Sequence, residues 1–177
     1  GAPAPLELSA ADIGQVVEAW REAALRSLEA GFDICEIHGA HGYLISQFLS
    51  PHHNQRTDEW GGSPEKRRRF VLAVYAEIRR QVGKDFPVGI KLNSADFQKG
   101  GFNFSDSTQV AQWLTAGGID LIEISGGNYE QPRMMDMEGM EKPDTSAMPA
   151  STAAREAYFV DFAIEMQRTV SVPLMVT

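Results

Sequence analysis

The hydrophobic positions of the chain follow two periods that alternate along its length. Apolar residues spaced three and four positions apart predict four helices, at residues 9–30, 63–82, 103–117 and 153–170. Short β-branched and aromatic runs between them predict four strands, at residues 32–38, 88–93, 119–125 and 173–177. This alternation predicts an α/β fold, in which helical crossovers join the strands of a parallel sheet.

Three of the predicted helices begin at residues that favour helix N-termini. Ser9 and Asp12 have the spacing of a capping box, and Ser63 precedes Pro64 at the start of the second helix. Ser105 is expected to cap the third helix. Residues 39–63 and 126–152 are expected to form long loops, and loops of that length usually have a function.

The residues of the strands differ between the two sides of the predicted sheet, because successive side chains point to opposite faces. One face contains most of the polar residues; its members are Glu36, His38, Gly89, Lys91, Asn93, Leu121, Glu123 and Ser125. The other face contains Cys35, Ile37, Val88, Ile90, Leu92, Ile122 and Ile124. Helices on both faces would bury the charges at a cost, whereas charges that face a barrel axis can pair with one another. The pattern therefore favours a (β/α)8 TIM barrel over an open doubly wound sheet.

A complete barrel of this kind needs about 250 residues and eight strands. The 177 residues here predict about four strands and four helices. We therefore expect residues 1–177 to form an incomplete TIM-barrel domain.

The charge balance and the cysteine content exclude several classes of function. Lys and Arg number 16 against 24 Asp and Glu, which gives a net charge of −8 and argues against nucleic-acid binding. No apolar run approaches the roughly 20 residues of a membrane span, and the N-terminus does not resemble a signal peptide. Because Cys35 is the only cysteine, the chain has no internal disulfide and no cysteine-based metal centre. A cytoplasmic protein that acts on small molecules is expected.

The end of the first predicted strand carries the residues with the clearest chemistry. His38 is the last strand residue, His41 follows it by three positions, and Tyr43 lies two positions further on. Active sites of such barrels lie at the carboxyl ends of the strands. Two imidazoles at this spacing can point at one oxygen atom, and the tyrosine beside them can donate a proton.

The same residues also fit other interpretations. A single His-x-x-His motif is a weak signal, and the two histidines fit a structural role in a loop equally well. Zinc binding is the more specific alternative hypothesis, because His52 and His53 lie close to His38 and His41 in the sequence. No strand end supplies the further ligands that a zinc site requires, so we expect no metal.

Several longer motifs resemble the central signature of the Old Yellow Enzyme family of FMN-dependent NAD(P)H:ene-reductases and flavin oxidoreductases. The motifs are EIHGAHGYLISQFLSP at 36–51, NQRTDEWGGS at 54–63, VGIKLN at 88–93 and ISGG at 124–127. The resemblance implies a (β/α)8 barrel with FMN over the strand ends. It also implies NAD(P)H as a partner and a small unsaturated substrate, a carbonyl or nitro compound whose activated C=C bond is reduced.

The resemblance also assigns roles to individual residues. His38 and His41 correspond to the pair that hydrogen-bonds the carbonyl or nitro oxygen of the substrate. Tyr43 corresponds to the proton donor. Lys91 occupies the position of a basic residue, often arginine, that stabilises the negative charge gained by the flavin on reduction.

Parts of the family fold are expected outside residues 1–177. Its first three strands would precede Gly1, and its glycine-rich phosphate-binding strands would follow Thr177. Two alternatives to a reductase therefore stay open: a truncated, non-catalytic half-barrel and a metal-dependent barrel hydrolase. Assembly into a homo-oligomer is a further expectation.

Overall fold

The computed structural model describes residues 6–131 and 158–177, and its centre is a parallel four-stranded sheet. The strands are β1 (Cys35–Gly39), β2 (Val88–Asn93), β3 (Leu121–Ser125) and β4 (Leu174–Val176). Each strand pairs with the next one along the chain, in the order β1-β2-β3-β4. A doubly wound sheet reverses its strand order, whereas the strands of a barrel follow one another without reversal. The sheet is part of a TIM barrel, as predicted.

Helices connect the strands and cover one face of the sheet. They are α1 (Ala10–Glu29), α2 (Leu44–Leu49), α3 (Pro64–Arg67), α4 (Arg69–Val82), α5 (Phe104–Ala116) and α6 (Tyr158–Gln167). None of the helices in the described ranges combines the length and the hydrophobicity that crossing a membrane requires.

The N-terminal caps confirm one prediction and correct another. Ser9 and Asp12 form the predicted capping box of α1. The cap of α5, however, is Asn103 and not Ser105. Its side chain accepts a hydrogen bond from the backbone of Asp106, whose carboxylate in turn accepts one from the backbone of Asn103. Ser105 lies inside the first turn, because the reciprocal pair starts the helix two residues earlier and satisfies two backbone donors there.

The region between β1 and β2 has more helical structure than the sequence indicated. The predicted loop at 39–63 contains α2, which has no side-chain cap but buries Ile45, Phe48 and Leu49. The helix predicted at 63–82 is divided into α3 and α4 at Arg68. At that break the buried Arg67 guanidinium donates to two backbone carbonyls, those of Leu49 at the end of α2 and of Gly62, at 3.0 and 2.8 Å.

The predicted strands have the correct positions, and the second matches β2 at both ends, but the other three begin too early. The first strand begins at Cys35, and Phe32 before it is 64% exposed, because it precedes the part of the chain that pairs with β2. The third begins at Leu121, two residues after its predicted start. The predicted start of the fourth helix at 153, and most of the loop at 126–152, lie outside the described residues.

The two faces of the sheet have the residues that the alternation predicted. Aliphatic residues of the strands face the helices and are at most 1% exposed; they are Ile37, Val88, Ile90, Leu92, Ile122 and Ile124. Phe70 of α4 and Phe162 of α6 belong to the same buried cluster. On the opposite face, His38, Lys91 and Glu123 are cross-strand neighbours. This second face, which points to the barrel axis, positions the candidate site.

Candidate active site

A polar row crosses three strands on the inner face of the sheet. His38 of β1 pairs with Lys91 of β2, and Lys91 pairs with Glu123 of β3. Two residues further along, Asn93 pairs with Ser125 at the carboxyl ends of β2 and β3. In a barrel this end of the strands contains the functional groups.

The turn after β1 brings His41 back over the strand ends. His41 has a left-handed backbone, with φ of 62°, and Gly42 follows it with φ of 77°. A residue other than glycine in this conformation costs roughly 1–3 kcal/mol, so other contacts must hold it. The His41 backbone N–H donates to Asn93 Oδ1 at 3.2 Å, and the His41 Nε2 lies 2.7 Å from Ser125 Oγ. The strained residue is therefore tied to the carboxyl ends of both β2 and β3.

The three side chains predicted to act together lie in contact. The ring centroids of His38 and His41 are 5.1 Å apart, and those of His38 and Tyr43 are 4.9 Å apart. Tyr43 is 45% exposed. Its hydroxyl contacts the hydroxyl of Tyr129, which follows β3. The site therefore presents two imidazoles and two phenols to one open surface.

Both histidines are uncharged near neutral pH. Burial, followed by the charges of His38 and Lys91, lowers the pKa of His41 to about 4, although Glu123 opposes the change. Burial and Lys91 also lower the pKa of His38. A neutral imidazole has one N–H donor and one acceptor nitrogen, so each ring can offer a single hydrogen bond to a substrate.

The hydrogen-bond partners of the two rings leave specific atoms for a ligand. When the Ser125 hydroxyl donates to His41 Nε2, the His41 proton is on Nδ1 and that nitrogen is a donor. Among the described residues, none hydrogen-bonds to the buried Nδ1 of His38. Buried polar atoms are almost always paired, so this nitrogen indicates a position for a bound group.

Lys91 lies between two carboxylates on the same face, as the sequence predicted. Its ammonium is 2.7 Å from Glu123 Oε1 and 4.0 Å from Glu36 Oε2. Burial, followed by a hydrogen bond to Glu123, raises the pKa of Glu36 to about 7. Burial also acts to raise the pKa of Glu123, but hydrogen bonds from Lys91 and Thr177 outweigh it and lower that pKa. The cluster thus holds one carboxylate as an anion and the other close to its titration midpoint at neutral pH.

Three residues of the site were not predicted to have a role. The sequence placed Asn93 and Ser125 on the polar face at the strand ends, and that position could have indicated a role in the site. Tyr129 lies 86 residues after Tyr43 and enters the site from a different loop. A tyrosine in a loop has no periodic signal, so the sequence alone did not indicate this contact.

The four histidines form two separate ring pairs. His38 is in contact with His41, and His52 with His53. Within the described ranges, a group of three possible metal ligands contains the second pair together with Glu130, and the first pair is not part of it. The zinc site that was considered for all four histidines is therefore not assembled in the fold.

Comparison with known proteins identifies relatives over nearly the whole chain. The sequence profile of the NADH:flavin oxidoreductase / NADH oxidase family matches residues 2–154. The NADH-dependent flavin oxidoreductase iliE of Neonectria sp. (strain DH2) is 41% identical over 174 residues, which are 98% of this chain and 22% of that protein. The NADPH dehydrogenase of Bacillus subtilis (strain 168) is 45% identical over 123 residues, which are 70% of this chain and 36% of that protein.

A similar fold occurs among solved structures. The complex of 2-naphthoyl-CoA reductase with 2-naphthoyl-CoA superposes with a TM-score of 0.81 and 29% identity, over 97% of this chain and 24% of that one. The chain therefore spans well under half the length of the relatives it matches.

Proposed function

The chain belongs to the NADH:flavin oxidoreductase / NADH oxidase family, whose cofactor is FMN, and on that premise we propose that it contributes the substrate site of an ene-reductase. The reaction proposed is the reduction of an activated C=C bond in an α,β-unsaturated carbonyl or nitro compound, with NAD(P)H as reductant. The observation that carries the proposal is the convergence of two neutral imidazoles and a phenol at the end of β1.

His38 and His41 supply the hydrogen bonds for the substrate oxygen. Reduction of the C=C bond places negative charge on that oxygen, and fixed donors aimed at it lower the barrier. The tether from Asn93 and Ser125 fixes the position of the His41 ring before substrate arrives. The unpaired Nδ1 of His38 lies in the same site.

Tyr43 supplies the proton that completes the reduction at the α-carbon. Its ring packs against His38, which places the phenol beside the group that holds the substrate oxygen. Tyr129 touches the Tyr43 hydroxyl and is 67% exposed, so it links the proton donor to solvent. The phenolate that remains after transfer can therefore regain its proton through Tyr129.

The inner face also suits FMN. Lys91 offers a cation beside His38, on the face that points to the barrel axis. When bound, FMN would take hydride from NAD(P)H and pass it to the β-carbon of the substrate. Lys91 would then hold the pyrimidine edge of the flavin, where negative charge collects.

The proposal is tested with Tyr43→Phe in the FMN-loaded holoenzyme. Alkene reduction should slow by roughly a hundredfold or more, because the α-carbon loses its proton donor. Reduction of a quinone, which needs no proton on carbon, should stay close to the wild-type rate, as should flavin reduction by NAD(P)H. Tyr75→Phe, which removes a phenol remote from the site, serves as the matched control. Equal losses in all three reactions would assign Tyr43 a structural role instead.

A further inference from the structure

A second group of chemically active side chains lies apart from the His38–His41 pair. His52 and His53 lie after α2, and Glu130 lies in the turn after β3. One ligand atom from each residue lies within 4.8 Å of the other two, and all three residues are exposed. Glu130 lies 77 positions after His53, so the fold itself brings the histidines and the carboxylate together.

Two of the three ligand groups already converge on one atom. The Gln98 amide nitrogen lies 3.3 Å from His52 Nε2 and also donates to the Glu130 carboxylate. The Gln98 amide is itself fixed, because its oxygen accepts a hydrogen bond from Asn128 at 3.1 Å. An imidazole nitrogen and a carboxylate oxygen that face one donor have the arrangement that a cation requires.

The third ligand group is adjacent and oriented. The His53 ring centroid lies 5.1 Å from that of His52, and His53 Nδ1 lies 3.2 Å from Ser50 Oγ. A hydrogen bond at Nδ1 leaves the other ring nitrogen for a metal, as in most histidine ligands. The backbone N–H of Glu130 donates to Asn128 Oδ1 at 2.9 Å, which holds its turn in place.

We propose that His52, His53 and Glu130 bind one divalent transition-metal ion of the Zn²⁺ or Co²⁺ class. Two imidazoles and a carboxylate suit these borderline ions better than Mg²⁺ or Ca²⁺, which prefer oxygen ligands. Bonds of about 2.0–2.1 Å would draw the three ligand atoms to about 3.4 Å from one another. Because the side chains are exposed, they reach that spacing by rotation, and water completes the coordination.

The position of this metal site gives it a structural effect. The ion joins the segment after α2 to the turn after β3, two segments that otherwise meet through side-chain contacts. Glu130 directly follows Tyr129, whose hydroxyl contacts Tyr43. Metal binding therefore fixes the turn that carries Tyr129, and it requires neither FMN nor substrate.

Titration of the untagged, EDTA-treated chain with Co²⁺ alone tests the site. Visible absorption of the cobalt and isothermal calorimetry should both show one equivalent bound. His52→Ala, His53→Ala and Glu130→Gln should each weaken binding by about tenfold or more. Circular dichroism of each variant confirms that the exposed substitution leaves the fold intact.

Matched controls separate this site from the other histidine pair. The double variant His38→Ala/His41→Ala and the remote Glu165→Gln should bind Co²⁺ with wild-type affinity. On the unmodified chain, Zn²⁺ should protect His52 and His53 from diethyl pyrocarbonate, as mapped by mass spectrometry. The proposal is overturned if no equivalent binds, if protection falls on His38 and His41, or if the three variants bind normally. None of these outcomes bears on the ene-reductase proposal, which uses different residues.

Discussion

The helix-facing side and the axis-facing side of the sheet are built from the same strands, but different interactions stabilise their side chains. On the helix-facing side, aliphatic residues such as Ile90 and Ile124 are fully buried against the helices. On the axis-facing side, Lys91 pairs with Glu123, while His38 keeps a buried nitrogen without a partner among the described residues. Close packing of apolar side chains is sufficient for the helix-facing side, whereas the axis-facing side has polar groups suited to a ligand.

This difference means that stability and chemistry are separable in the molecule. Substitutions on the helix-facing side should change the free energy of unfolding, and those on the axis-facing side should change ligand binding or its dependence on pH. Substitution of Lys91 should change both stability and ligand binding, because its ammonium neutralises carboxylates and also lies beside the site. The following variants test how far the separation holds.

Phe70→Ala should give the largest effect. Phe70 is fully buried and stacks on Phe48 with centroids 4.3 Å apart, so its removal should cost about 3–5 kcal/mol of unfolding free energy. Urea denaturation followed by circular dichroism measures the loss. Phe32→Ala makes the same chemical change at a 64% exposed position and should stay within about 0.5 kcal/mol of wild type. Similar losses in the two variants would contradict the assignment of the core to the helix-facing side.

Lys91→Met should have the next largest effect, and it tests whether one residue contributes to both stability and flavin chemistry. The Glu123 side chain is 9% exposed and loses its cation, so we expect a loss of about 1.5–3 kcal/mol at pH 8. In the holoenzyme, the same change should lower the flavin reduction potential, measured by redox titration, because a nearby positive charge is lost. Lys84→Met, at an exposed position, is the control. A change in stability without any change in potential would restrict Lys91 to a structural role.

His41→Ala should weaken binding of a phenol ligand to the holoenzyme by about 1–3 kcal/mol, the scale of a hydrogen bond to a charged oxygen. His38→Ala should do the same, and the unfolding free energy of either variant should change less than that of Phe70→Ala. Spectroscopic titration measures the affinity, with His52→Ala as the control from the other histidine pair. Unchanged phenol affinity in both variants would remove the oxygen-binding role from the pair.

Glu36→Gln should have the smallest effect, visible in the pH dependence of stability. The pKa of Glu36 is raised to about 7 in the folded chain from an ordinary value of 4.5, so the folded state holds an extra proton between these values. Its stabilising contribution is therefore complete below about pH 4.5 and is lost as the pH rises through 7. Between pH 5 and 8, the free energy of unfolding should fall less steeply with rising pH in Glu36→Gln than in wild type or Glu165→Gln. Parallel pH profiles would show that Glu36 titrates normally.

The sequence predicted features that depend on local periodicity. Alternation of polar and apolar residues placed Lys91 and Glu123 on one face, and their ammonium and carboxylate are indeed in contact. The Ser9 cap was predicted because its partner Asp12 lies three residues away. The α2 helix was missed because it has no capping signal and is stabilised by burial of its apolar residues instead.

Contacts between segments that are distant in sequence could not be predicted from local sequence patterns. The hydroxyl pair of Tyr43 and Tyr129 depends on where two separate turns end, and nothing in either segment specifies the other. The same is true of the contact between His41 and Ser125. The resemblance to a known family predicted roles for Tyr43 and the two histidines, but it did not indicate which residues hold them.

The tether of His41 also has a consequence for the order in which the chain folds. Its two partners lie 52 and 84 residues further along, so the ring reaches its final orientation only after β1, β2 and β3 have all come together. Contacts between residues so far apart in sequence form slowly, because long loops must close first. Recovery of phenol binding during refolding of the holoenzyme would therefore report the last steps of sheet assembly, later than the return of helical circular dichroism.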